Sequence, residues 1–144
     1  MKILFGLLIL ILILLLAGCK KDAVSVDLAN ACAADNDGKY ISTTGFLDDH
    51  GSIFCSNTGG RMDCSLDFVA SPGSPRVFGA EIEQGSGSSE IEKFESGYKS
   101  SDLKIHDAMG GLIKLSDKVR VTGTLSVVPG STCFMEIDKI EKTQ

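Results

Sequence analysis

The chain has 144 residues, with 14 basic and 19 acidic side chains, a formal net charge of −5, and five cysteines. That length fits one small domain and leaves no room for two separate cores. The acidic balance argues against a nucleic-acid footprint, because non-specific affinity for phosphates comes chiefly from Lys and Arg.

The chain opens on Met1-Lys2, a single positive charge, followed by an apolar run from Ile3 to Leu16 interrupted only by Gly6. This is the order of charged and apolar regions in a secretory signal. A spanning helix needs roughly 20 apolar residues to cross about 30 Å of hydrocarbon. The run stops short of that, before small residues and then Lys20-Lys21-Asp22. Leu16-Ala17-Gly18-Cys19 resembles the lipobox of bacterial lipoproteins, where small residues precede the cleaved bond and the cysteine thiol receives a diacylglyceryl group. The resemblance implies that residues 1–18 are a signal peptide, that Cys19 becomes the lipidated first residue, and that residues 19–25 tether a domain over 26–144 to a membrane of the cell envelope. An uncleaved N-terminal anchor helix with an incidental cysteine is the competing reading. Two or three acyl chains, each contributing about 0.8 kcal/mol per buried methylene, make attachment effectively permanent. Lys20 after the cysteine, in place of an aspartate, favours the outer membrane in lineages that sort on that position.

Removing the signal takes away only Lys2 among the charges and leaves 13 basic against 19 acidic side chains, a net charge of −6. With Cys19 committed to lipid, Cys32, Cys55, Cys64 and Cys133 remain, and export to an oxidising compartment makes two disulfides the default, with three connectivities open. Ser52-Ile53-Phe54-Cys55 and Met62 to Phe68 are strand-like runs flanking the turn-rich Ser56 to Arg61, so a hairpin would set Cys55 opposite Cys64. Cys32, before the first strand, is then left for Cys133 at the start of the last. Zinc held by His50 and His106 with Cys55 and Cys64 is the rival, but no CxxC pair or close His-x-His spacing supports it.

Strand signals dominate the chain beyond the tether. Lys39 to Leu47 is rich in β-branched and aromatic residues and comes after the turn Asp35-Asn36-Asp37-Gly38. From Lys118 to Val127 apolar and polar residues alternate, which gives Val119, Val121, Leu125 and Val127 one inward face. Pro129-Gly130-Ser131-Thr132 breaks the chain, and Cys133 to Ile140 begins a further run in which Met135 and Ile137 point the same way. Between the third and fourth strands, Ser89-Glu90-Ile91-Glu92 has the form of a capping box, and Ile91, Phe94 and Tyr98 fall at helical spacing, so one short helix is expected there. Three strands, an irregular segment with a helix, and two strands make the layout of an all-β, five-stranded Greek-key OB-fold barrel, with another small β-sandwich as the alternative. Leu115 to Leu125, together with Cys133 to Glu141, looks like the end of the tRNA_anti-like group of small bacterial OB-fold proteins, and the similarity extends more weakly from about Val26 to Gln144. The resemblance implies a fold more than a function. Gly45 and Gly123 fit it, because strongly bent strands use glycine at coils and bulges.

Several local motifs invite chemistry and fall short of it. Asp35-Asn36-Asp37-Gly38 suggests an EF-hand, but in that register the first and twelfth ligands would be Ala33 and Thr44. Gly85-Ser86-Gly87-Ser88 lacks the Lys-Ser/Thr of a phosphate loop. Asp48-Asp49-His50 could hold a general base or a metal, yet no nucleophile or oxyanion hole accompanies it. No residue is therefore assigned to catalysis, to a metal or to a cofactor. Lys118 and Arg120 lie on the polar face of one strand, and Phe46, Phe54 and Phe68 on others, which raises stacking on single-stranded nucleic acid; filling a small core is the commoner use of such phenylalanines.

OB folds usually bind on strands two and three, framed by the loop between strands one and two and the loop between strands four and five. On this strand assignment, that surface comprises Asp48 to Ser52, the polar side of Ser65-Asp67-Val69, and Pro129 to Thr132, with Asp48, Asp49, His50 and Asp67 as candidate binding residues. The expectation is a membrane-anchored, non-catalytic binding or structural module for an envelope protein, peptide or glycan; a single-stranded nucleic-acid binder at the cell surface is the alternative. The anchor has a direct check. Cys19→Ala leaves no thiol to acylate, so the chain should stay an uncleaved precursor or be released as a soluble product, and partition of the variant into the detergent phase as a processed lipoprotein would overturn the anchor.

Overall fold

The computed structural model describes residues 22–130 and 132–143. The expected signal peptide and Cys19 lie outside them, as does Ser131 of the loop joining the last two strands. The chain runs through β1 (Val24–Ser25), β2 (Tyr40–Asp48), β3 (Phe54–Thr58), β4 (Arg61–Val69), β5 (Arg76–Glu83), β6 (Ile105–His106), β7 (Leu112–Ile113), β8 (Val119–Val127) and β9 (Cys133–Lys142).

Barrel closure begins in β2. Its Tyr40–Gly45 half pairs antiparallel with β8, and its Phe46–Asp48 end pairs antiparallel with β4. From β8 the ladder continues to β9, crosses in parallel to β5 and returns through β4 to β2. This closed circuit of five strands, with β2, β4, β5, β8 and β9 as barrel strands one to five, is the expected OB-fold topology. Gly45 stands where β2 changes partners, and a Cβ there would lie 2.6 Å from the Val69 carbonyl oxygen and 2.7 Å from the Phe68 ring. No larger residue fits that approach. β1 adds in parallel to β2, so the sheet takes up Val24 and Ser25, two residues ahead of the expected domain start at Val26.

Period-two alternation fills the interior. Ile41, Leu66, Phe68, Phe78, Ile82, Val121, Leu125 and Met135 are fully or almost fully buried, and Phe68 stacks on Phe78 with centroids 4.8 Å apart. Leu28 and Ala31 from an N-terminal 3-10 turn, and Ile91, Ile105 and Ile113 from the segment between β5 and β8, complete the core. In β9 the alternation that buries Met135 and Ile137 changes phase: Gly123 pairs with Ile137 while Thr122 pairs with Lys139, so Asp138 is the extra residue of a bulge and Ile140 turns inward. A Cβ on Gly123 would fall 1.9 Å from the Glu136 carbonyl oxygen, which makes this the second position that demands glycine.

Three expectations are corrected. The run around Ser52–Cys55 is not a barrel strand; β3 is the outer arm of a hairpin on β4, and β4 and β5 are barrel strands two and three. Val69 is buried, because a register shift between Phe68 and Val69 breaks the alternation that would have placed it beside Ser65 and Asp67. The short helix over Ser89–Tyr98 does not form; the described residues contain only three-residue 3-10 turns, one of them at Ser100–Asp102. Ser89 has φ +60° and its hydroxyl accepts from the Ile140 amide at 3.0 Å instead of capping a helix. Ile91 donates its amide to Glu83 and accepts from Gly85, as a bridge on the end of β5. Burying Ile91 with its backbone paired outcompetes a helix of so few residues, since isolated helices below about 12 residues are marginal. Phe94 and Tyr98 still meet edge to face.

The hairpin turn is Gly59-Gly60 with φ +64° and +90°, the two-residue loop that needs positive φ at both positions. It fixes the register that sets Cys55 opposite Cys64, and both expected disulfides form: Cys55–Cys64 with Cα atoms 4.0 Å apart, and Cys32–Cys133 at 5.8 Å. In the loop-entropy account the short closure contributes about 2.7 kcal/mol and the long one about 4.7 kcal/mol. Guanidinium unfolding should therefore rank Cys32→Ser/Cys133→Ser as the more damaging double substitution by about 2 kcal/mol; equal losses, or a larger loss from Cys55→Ser/Cys64→Ser, would contradict that ranking.

Candidate binding groove

Three of the four expected binding residues converge. The His50 Nδ1 lies 2.5 Å from the Asp67 Oδ2, the His50 amide donates to the Asp48 Oδ1 at 2.8 Å, and the Arg76 guanidinium stands 3.5 Å from the other Asp67 oxygen. The hydrogen bond to Asp67 raises the His50 pKa above its ordinary 6.5, and the charges of Asp48 and Asp49 add to that. Burial pushes the Asp48 carboxyl upward, but the backbone amides of His50 and Gly73 outweigh it and hold the pKa low. Asp49 is turned inward. It is 6% exposed, accepts from the Ser100 hydroxyl at 2.7 Å and from the Gly51 amide at 3.2 Å, and so fastens the loop after β2 to the segment beyond β5. Burial and the facing Asp49 carboxylate raise the pKa of Tyr98. Pro129, Gly130 and Thr132 do not join this cluster; they line a separate hollow with Cys32, Asp37 and Val77.

The larger feature is a groove of about 600 Å³ on the outer face of the barrel, lined by residues of β3, β4, β5, β9 and β8. Strand register builds its floor in rows. Asp67 pairs with Gly79, Gly79 with Phe134, and Phe134 with Ser126. One row along, Ser65 pairs with Glu81, Glu81 with Glu136, and Glu136 with Thr124. The next row sets Ser56 opposite Asp63 and Asp63 opposite Glu83. Two like-charge pairs, Glu81/Glu136 and Asp63/Glu83, thus stand directly opposed on neighbouring strands of one face. Among the described residues one cation answers them: the Arg61 Nε is 2.9 Å from the Asp63 Oδ1, one terminal nitrogen is 3.9 Å from Glu83, and the other is paired with Glu136. Those contacts, Glu136 first and Asp63 next, lift the arginine pKa further, so its charge is permanent. Phe134 and the hydroxyls of Ser56, Thr58, Thr124 and Ser126 supply the uncharged lining. Asp67 lies in the first row, which sets the His50 cluster at one end of this face.

The other motifs are absorbed by the fold. Glu90 turns back into the Gly85–Ser88 loop and accepts from the Gly87 amide at 2.6 Å, so a carboxylate of the chain occupies the place a phosphate would need. In the Asp35–Gly38 turn, Asp37 accepts from the Val127 amide and Asn36 donates to the carbonyls of Asn30 and Ala31. Cys55 and Cys64 are joined to each other, which removes the thiolates the zinc reading required. Phe68 is core, Phe46 half-buried and Phe54 72% exposed. Arg120 lines a hollow with Ser25, Asp27, Ser42 and Thr44, away from the groove.

No family model, curated protein or solved structure matches the chain.

Sequence reasoning missed Arg61, Asp63, Glu81, Glu83, Phe134 and Glu136 as site residues. Glu81 and Glu83 lie on the strand it overlooked, although Phe78, Ala80 and Ile82 alternate with outward residues after the Pro72-Gly73-Ser74-Pro75 turn. With that strand recognised, OB topology alone would have set it beside the last strand.

Proposed function

We propose that the chain is an exported lipoprotein, held through lipid at Cys19 on an envelope membrane with the outer membrane favoured, whose barrel is a non-catalytic module that binds a cationic segment of a protein or peptide. The observation that carries this reading is the two pairs of directly opposed carboxylates, Glu81/Glu136 and Asp63/Glu83, on the face OB folds use for ligands. Like charges directly opposite one another destabilise a sheet by roughly 0.2–1 kcal/mol per pair. Two such pairs around one arginine leave a net negative floor between low-dielectric walls, and such a cleft concentrates counter-charge. A lysine or arginine side chain entering the groove relieves the repulsion that Arg61 relieves only in part. Phe134 and the groove hydroxyls suit the aliphatic stems and backbone of a peptide.

The nucleic-acid alternative meets the opposite electrostatics. A phosphate chain laid along this face would approach four carboxylates, and Lys118 and Arg120 lie elsewhere on the outer surface of β8 and its approach. Fluorescence anisotropy with the full chain in neutral detergent separates the two. Labelled decalysine should bind saturably at low salt and release as salt is added, since exposed charges are screened within about 10 Å at 0.1 M. Glu136→Lys, at a side chain 55% exposed, should keep the fold and lower that affinity at least tenfold. Binding of a ten-nucleotide thymidine strand in preference to decalysine would overturn the proposal.

A further inference from the structure

The hairpin arm carries a second feature beside the groove. β3 pairs only with β4 among the described residues, so its other edge is open. The register says which backbone groups that edge presents. Thr58 and Arg61 flank the two-residue turn and are a hydrogen-bonded pair; by antiparallel alternation so are Ser56/Asp63 and Phe54/Ser65, whereas Cys55/Cys64 and Asn57/Met62 are not. The 4.0 Å separation of the Cys55 and Cys64 Cα atoms agrees with a non-hydrogen-bonded pair. So does the Met62 carbonyl, which points away from β3 to accept from the Gln84 amide at 2.7 Å. The amide and carbonyl of Cys55 and of Asn57 therefore point outward from the open edge.

Sheet edges are usually protected by proline, by charge or by a bulge. Phe54-Cys55-Ser56-Asn57-Thr58 has no proline and no charged residue, and its register with β4 is unbroken. The Cys55–Cys64 bond holds the arm as a strand before any partner arrives, which lowers the ordering cost of pairing with it. Phe54, Ser56 and Thr58 share the face that continues through Ser65, Asp63 and Arg61 into the groove. A strand added here would run about 4.8 Å from β3 and present alternate side chains to that same face. Self-pairing with a second copy would bring two acidic faces together at a mature charge of −6.

We infer that the open edge of β3 accepts an extended, lysine- or arginine-rich segment of a partner as an additional β-strand, whose alternate cationic side chains reach the groove carboxylates. This rests on the reading of the groove as a cation-binding site and adds the mode of engagement.

The test uses the full chain in neutral detergent and a ten-residue peptide of alternating lysine and threonine. Two analogues of identical charge are N-methylated on alternate residues, one for each edge of the peptide. Asn57→Pro removes an outward amide at an edge position where proline is tolerated, and Phe54→Lys sets a cation on the edge itself. The unmodified peptide should bind and slow hydrogen exchange at the Cys55 and Asn57 amides. One of the two analogues, and both protein variants, should lose at least tenfold in affinity. If both analogues bind as well as the parent peptide, strand addition is overturned and the cationic groove stands. If neither decalysine nor the alternating peptide binds, the groove reading fails and the edge inference fails with it.

Discussion

The parallel seam between β5 and β9 is the constraint on which the rest depends. Its ladder consists of three residue pairs, Gly79/Phe134, Ala80/Met135 and Glu81/Glu136, and through them the five strands become a barrel instead of an open sheet. Ala80 and Met135 turn inward at that seam and are fully buried, so closure is stabilised from the core side. The outward residues on either side of Ala80 and Met135 are then forced together whatever their chemistry. Phe134 comes to lie beside Gly79, and Glu81 beside Glu136. The Cys32–Cys133 bond secures the first residue of β9, two positions before Met135, and so holds one end of the seam in register.

The parts of this arrangement that were legible in the sequence depend on local pattern. Alternation in Lys118–Val127, the turn before Lys39 and the hairpin spacing of Cys55 and Cys64 each reflect a requirement met by neighbours in the chain, and the Cys32–Cys133 pair followed by elimination. Gly45 and Gly123 were legible only through the resemblance to strongly bent OB strands, because the groups that demand glycine there, Val69 with Phe68 and Glu136, are distant in the chain. What escaped was set by contacts between distant residues. Ser89–Tyr98 carries a helical spacing, but Ile91 is held by Glu83, Gly85 and Ile105, and the Ser89 hydroxyl by Ile140. Asp49 reads as one more acid in an exposed loop, until Ser100, fifty-one residues on, turns out to be its partner. The acidic groove is invisible for a related reason: none of Asp63, Glu81, Glu83 and Glu136 stands out from its neighbours in the chain, and the opposition exists only after closure.

A sheet that retains opposed carboxylates on a face it could have filled with neutral residues gives up stability there. Arg61 offsets part of the cost through its contacts with Asp63, Glu83 and Glu136. Glu81 receives none of those contacts, so it is the member of the set whose charge the fold least needs and, under the proposed function, the one a cationic ligand would most reward. That separates a binding role from a structural one at a single side chain.

The most direct measurement is the pair of values, unfolding free energy and decalysine affinity, for Glu81→Gln in the full chain. If the opposed carboxylates exist to bind a cation, removing this one charge should leave stability unchanged or raise it by up to about 1 kcal/mol, while affinity falls severalfold. A variant that loses stability and binds decalysine as before would show that Glu81 serves the fold, and would contradict a cation-binding role for the groove.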